Sequence, residues 1–158
     1  MNYDAKQLHY DDLIKMESLK EIPNRDFKLI ERLIHRAEKD LQVAKKNLDD
    51  DEPTALDLVY KSMFHASNAL IRSQGFRPGR IRQHIGVIEA VERTLGVEAK
   101  PIVRKFDQLR KKRNEFEYQG LYRGTKTEIV NGFSEAKKLI VKIKKYIEEK
   151  NPQRKFKF

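Results

Sequence analysis

The chain has 158 residues, about one domain's worth, with 39% hydrophobic and 37% charged residues, 7 Gly and 5 Pro. That composition is too apolar for disorder and too charged and unpunctuated for an all-β sandwich, so it points to packed helices. With 0 Cys there is no disulfide frame, thiolate nucleophile or zinc–thiolate site, and the net charge of +10 is unevenly spread. Residues 1–52 carry 10 Lys/Arg against 13 Asp/Glu, whereas residues 53–158 carry 24 against 11. A second part at net +13 suits a phosphate-rich or acidic partner, although a solvated Lys/Glu surface explains such a count about equally well.

Residues 1–24 show little periodicity and end at Pro23-Asn24, which reads as an N-terminal arm with a short helix around Leu13 to Leu19. From Asp26 the pattern sharpens. Phe27, Ile30, Ile34, Ala37, Leu41, Ala44 and Leu48 recur at spacings of three and four, one stripe of a helix. Asp49-Asp50-Asp51-Glu52 opposes the negative end of that helix and suits the positive start of the next, with Pro53 in its first turn. The second helix runs through Leu56, Val59, Met63, Ala66 and Leu70 to a left-handed stop at Gly75.

After the loop Gly75-Phe76-Arg77-Pro78-Gly79-Arg80, the residues Ile81, Ile85, Ile88, Val91 and Leu95 predict a shorter third helix closed by Gly96. A fourth, from about Ala99 to Glu117, carries Ile102, Phe106, Leu109 and Phe116. The fifth opens on a Thr125-x-x-Glu128 capping box and continues through Ile129, Phe133, Ala136, Ile140, Ile143 and Ile147. Residues 151–158 form a basic tail expected to fray. The expectation is therefore all-α: an up-and-down antiparallel bundle of about five helices over residues 25–150, between the arm at 1–24 and the tail at 151–158. No strand is predicted. No apolar run is long enough to cross a bilayer and the start MNYDAKQLHYDD is unlike a secretory leader, so a soluble, cytoplasmic protein that does not engage membrane is expected.

One residue breaks the pattern. On the fourth helix the stripe 102, 106, 109, 116 has an intermediate position, 113, and it holds Arg where Leu is usual. A guanidinium pointing inward must snorkel, pair with an internal acid, or face a wet cleft or subunit interface. Its planar fork suits bidentate phosphate binding. For Arg110, Lys111 and Lys112 the favourable interaction with the helix C-terminus is explanation enough. Asn114 and Tyr118 follow within the next turn or so, and Glu117 stands four residues on as an intrahelical partner for Arg113.

The set Tyr60-x-x-x-Phe64-His65-Ala66-x-x-Ala69-Leu70-Ile71, then Gly75, His84 and Arg113-Asn114-Glu115-Phe116-Glu117-Tyr118 resembles the HEPN domain (higher eukaryotes and prokaryotes nucleotide-binding) over roughly residues 26–150. The resemblance implies a helical bundle, usually a homodimer. In many prokaryotic relatives it works beside a small nucleotidyltransferase partner, often as a toxin–antitoxin pair. Active members cut RNA without metal through an Arg-x4–6-His motif. Carried across, the Arg falls on Arg113 and its polar follower on Asn114, but Tyr118 stands where the His is due and no His follows His84. A phenol with an ordinary pKa of about 10 is a far poorer base at neutral pH than an imidazole at about 6.5. The sequence therefore favours an RNA- or nucleotide-binding module over a ribonuclease. If the chain is an enzyme, Arg113, Asn114 and Tyr118 are its candidate catalytic residues. The remaining alternative is an interaction module for an acidic protein.

The other candidates are weaker. His9, His35, His65 and His84 lack metal-ligand spacing, so no metal and no cofactor is assigned. His65 shares a helical face with Lys61, Asn68 and Arg72 and fits a polar groove, though a partly exposed surface His explains it as well. Arg77, Arg80 and Arg82 on the loop join Arg113 and Arg110 as candidate phosphate or nucleic-acid contacts, because no acid occurs from 72 to 88. Phe76 among them is a candidate base-stacking ring, or, slightly favoured, a side chain tucked into the bundle.

Overall fold

The computed structural model describes residues 10–158; His9 lies outside them. Five long helices carry the fold: α1 (Phe27–Asn47), α2 (Glu52–Ser73), α3 (Gln83–Leu95), α4 (Lys100–Gln119) and α5 (Lys126–Lys150). A 3-10 turn at Val97–Ala99 leads into α4. The bundle is all-α in class and up-and-down in topology, as the periodicities predict. Its boundaries follow from local chemistry. The Asp26 carboxylate accepts from the Leu29 N–H, and the Asp51 carboxylate accepts from the Thr54 N–H, each satisfying a free donor of a first turn. Thr125 Oγ1 accepts from the Glu128 N–H, as the capping box requires. Gly75 follows the end of α2 with φ +91°, and Gly120 caps α4 with φ +66°, both in the left-handed region that glycine reaches without strain.

Helix α2 is the central element and packs against each of the other four. It therefore buries more than one stripe: besides Leu56, Val59, Met63, Ala66 and Leu70, the residues Ala55, Tyr60, Ala69 and Ile71 are buried. Three of its serines are buried too, and each satisfies its hydroxyl on a carbonyl of the preceding turn: Ser62 on Val59, Ser67 on Met63 and Ser73 on Leu70. The main core joins the apolar residues of α2 other than Ile71 to Ile30, Ile34, Phe106, Leu109, Ile140 and Ile143.

Three features depart from expectation. The short helix of the N-terminal segment covers residues 10–15, earlier than predicted, and it is followed by a strand, β1 (Leu19–Glu21). That strand pairs antiparallel with β2 (Phe76–Pro78), in the register Leu19 with Pro78 and Glu21 with Phe76. Such a ladder, made from two remote three-residue pieces, leaves no alternation to read. A satellite core of Tyr10, Leu13, Leu19, Ile71, Phe76, Val87 and Ala90 holds it in place. The tail does not fray. Asn151 is buried and caps α5, Phe156 packs against the main core, and Arg154 lies 4.5 Å over the Phe27 ring. Ile81 precedes α3 and is exposed instead of lying on its buried face. No helix among the described residues is long and apolar enough to cross a membrane.

Candidate functional site

Four helices converge on one concavity of about 420 Å³. Arg36 and Asp40 come from α1, Leu58, Tyr60, Lys61, Phe64 and His65 from α2, His84 from α3 and Arg113 from α4. Arg113 lies inward on the stripe as its position demands, with only 20% of its side chain exposed. Two groups of α2 account for this. Asp57 Oδ1 accepts from Arg113 Nε at 2.8 Å, and the Tyr60 ring lies beneath the guanidinium at 5.5 Å. Burial works against the charge, but the Asp57 hydrogen bond and carboxylate, helped by Glu117, more than compensate and hold the guanidinium above its ordinary pKa. Asp57 also pairs with Lys61 at 2.9 Å. One carboxylate thus ties two cations to the rim of the concavity.

The floor is aromatic. Phe64 and His84 rings sit 4.7 Å apart, and Tyr60 flanks both, at 6.3 Å from Phe64 and 5.8 Å from His84. The Tyr60 hydroxyl meets His84 Nδ1 at 2.5 Å. Burial, opposed by Arg113 and Arg110, raises the Tyr60 pKa far above its ordinary value. Burial, and then Arg113 and Arg110, push the His84 pKa down. Both groups are therefore neutral, and a single short hydrogen bond joins the phenol to the imidazole. On the other side of the cleft, Asp40 is 1% exposed, with its two oxygens held by different partners. Arg36 Nε donates to Oδ1 at 2.9 Å and His65 Nδ1 lies 2.8 Å from Oδ2. A buried carboxylate requires such pairing, and this one has it twice.

The structure separates residues that the sequence grouped. Tyr118 is 78% exposed and does not line the cleft, because five residues along a helix turn it well away from Arg113. Asn114, half-buried, is not among the lining residues either. Arg110 pairs with Asp107 at 2.9 Å and faces a separate groove between α3 and α4, though its charge still reaches His84. Arg77 and Arg80 line a third groove, beside β1, where Arg77 Nη1 donates to the Pro78 carbonyl. Arg82 is exposed just before α3. Phe76 is buried edge-on against Tyr10 at 5.2 Å, so it is a core side chain and no stacking platform. Of the polar set on α2, Lys61 and His65 reach the cleft, while Asn68 accepts from Arg72 instead.

Asp40, Asp57 and Arg36 were not singled out by pattern, and Tyr60 entered only as part of the family resemblance, with no role at the site. Asp40 alone left a trace, since position 40 falls beside the apolar stripe at 37, 41 and 44 and so had to be either exposed at the stripe's edge or buried and paired. Among the described residues, no three His, Asp or Glu side chains are clustered as metal ligands. The family model described as the HEPN domain matches residues 30–148, most of the chain and all the helices that form the cleft. A search of curated proteins returns no significant relative.

Proposed function

The chain belongs to the HEPN domain family, and from that premise we propose that it is an RNA- or nucleotide-binding module whose phosphate site is the Arg113 cleft. The observation that carries this reading is the placement of a half-buried guanidinium on an aromatic floor, with Lys61 and Arg36 on the same rim. Asp57 engages Nε of Arg113 and so fixes the plane of the fork, while the volume of the cleft is of the size that takes a small ligand. Arg113 and the cations of the rim take the phosphate, and Phe64 and His84 offer ring faces to the nucleoside. A second copy of the chain and a nucleotidyltransferase-type partner, in a toxin–antitoxin-like arrangement, complete the proposal on the strength of the family resemblance.

The test is equilibrium binding of a fluorescent oligoribonucleotide at several salt concentrations. Arg113→Ala is expected to weaken binding at least about tenfold, the scale of one charge-assisted contact. Arg113→Lys is expected to restore little, because an ammonium lacks the planar fork. Unchanged affinity in Arg113→Ala, or affinity indifferent to salt, removes the reading.

A further inference from the structure

Arg113 and Lys61 are each held by Asp57, but the cations gathered where α2 passes into β2 have no such partner. Among the described residues, Lys20, Arg72, Arg77 and Arg80 form no ion pair. The ladder sets Lys20 directly opposite Arg77, so two like charges stand on one face of it, an arrangement that weakens a strand pair. Both, with Arg80, line the groove of about 420 Å³ beside β1, whose walls also carry Glu17 and Glu21 without an ion pair to any of them. Arg72, half-buried in the last turn of α2, has only a neutral partner: its Nε donates to Asn68 Oδ1 at 2.9 Å. That bond fixes the plane of the fork and leaves both terminal nitrogens without a protein partner. Burial, and then the charge of Arg77, lower the Arg72 pKa, while the acid that opposes them, Asp26, is engaged in capping α1. A partly desolvated guanidinium with no carboxylate is costly to keep charged, and an anion relieves that cost.

One face of α2 joins these cations to the Arg113 cleft. Lys61, His65, Asn68 and Arg72 follow at spacings of four, three and four, so they line up along the helix, and none of them is buried. Lys61 and His65 lie in the cleft itself. Eleven residues further on, about 16 Å at the helical rise, the face ends at Arg72. We infer that a single-stranded RNA seated in the Arg113 cleft runs along this face of α2 and places a later phosphate at a second subsite formed by Arg72 and Arg77, with Lys20 and Arg80 beside it. The inference rests on the reading that the Arg113 cleft holds a phosphate. A mononucleotide is too short to reach both places, so the second subsite acts only on a longer strand. The cations alone would serve an acidic peptide equally well. The aromatic floor of Phe64 and His84 at the other end of the path decides for nucleic acid, and for an unpaired strand, because stacking on it requires a base with a free face.

The test measures binding of a fluorescent mononucleotide and of oligoribonucleotides of increasing length to the full chain over a range of salt. Wild-type affinity is expected to rise with length until the strand spans both places. The double variant Arg72→Gln/Arg77→Gln is expected to lose at least about tenfold in affinity for the long strand and to flatten its log–log salt slope by about 1.4, the share of two phosphate contacts on a single strand. Its affinity for the mononucleotide is expected to stay unchanged, whereas Arg113→Ala weakens both ligands. Lys20→Gln/Arg80→Gln, at two exposed positions off α2, is expected to flatten the slope for the long strand in the same sense, which keeps the test independent of any folding defect at Arg72. Lys137→Gln/Lys145→Gln removes the same charge from the exposed face of α5 and is expected to change neither ligand's affinity. Wild-type affinity and slope for the long strand in Arg72→Gln/Arg77→Gln, with Arg113→Ala still weakening it, overturn this inference and spare the binding reading. So does an equal loss in the α5 variant, or displacement of the strand by polyglutamate as readily as by unlabelled RNA. Failure of the wild-type protein to bind either ligand overturns both.

Discussion

Arg113 is expensive to shelter, and the side chains around it show how the cost is met. Asp57 neutralises it and Tyr60 lies under it, while burial, and after it the charges of Arg113 and Arg110, depress the pKa of His84. That depression has a consequence for stability. The His84 pKa is 6.5 when unperturbed and lower in the fold, so below about pH 6.5 the unfolded chain binds protons more readily than the native one. Stability contributed by neutral His84 is fully present above that pH, declines as pH falls, and stops declining below the lowered native value. Urea unfolding at pH 7.5, 6 and 5 is expected to show this loss, and His84→Asn is expected to flatten that part of the profile. A variant with the same acid slope as the wild-type protein excludes His84 as its source. Tyr60→Phe keeps the ring under Arg113 but removes the hydroxyl from Nδ1. The expected cost is about 1 kcal/mol, the net worth of one hydrogen bond, measured by the same unfolding.

The helices themselves were legible because each wears its own signals. The three-and-four spacing on α1 and α5, the acidic start before Pro53, the cap at Thr125 and the stops at Gly75 and Gly96 are local features, decided within a turn or two of chain. Strand β1 carried no such signal. Its existence depends on β2, more than fifty residues away, and on a close approach at Gly79 that no neighbouring residue announces. A Cβ at Gly79 would lie 2.0 Å from the Glu17 carbonyl oxygen, and the Gly79 N–H donates to the Ser18 carbonyl at 2.8 Å. Gly79→Ala must therefore push the N-terminal segment off the ladder. The expected loss is about 1–3 kcal/mol by denaturant unfolding, the range for overpacking a tight contact, with faster hydrogen exchange confined to β1 and β2.

For the molecule as a whole, the tail closes the circuit between the last helix and the first. Phe156 packs on the main core and its N–H donates to Glu148 at 3.1 Å, Arg154 stacks on Phe27 of α1, and Phe158 meets His35 edge-on at 5.5 Å. Sequence alone read these residues as a basic tail because charge dominates their composition. The two phenylalanines are the part that matters to the fold. Phe156→Ala is expected to cost about 1–3 kcal/mol, less than a fully buried ring because Phe156 is only half-buried, and calorimetry would register it as a lowered Tm. An unchanged Tm would show that the tail adds nothing to the bundle. Charge is also a property of the whole molecule. If RNA runs from the cleft across the basic second part, the salt dependence of an oligonucleotide should be steeper than that of a mononucleotide, and equal slopes would confine binding to the cleft.

The helical class, the number of long helices, most of their ends and the inward aim of Arg113 followed from the sequence by itself, because periodicity and capping act between residues a few positions apart. Which groups meet Arg113 did not. Asp57 and Tyr60 lie more than fifty residues from it, and Asp40 and His65 pair across two helices. Only the packing of α1, α3 and α4 around α2 sets those distances, and the same packing left Tyr118 in solvent and brought His65 and His84 into the cleft that Arg113 lines.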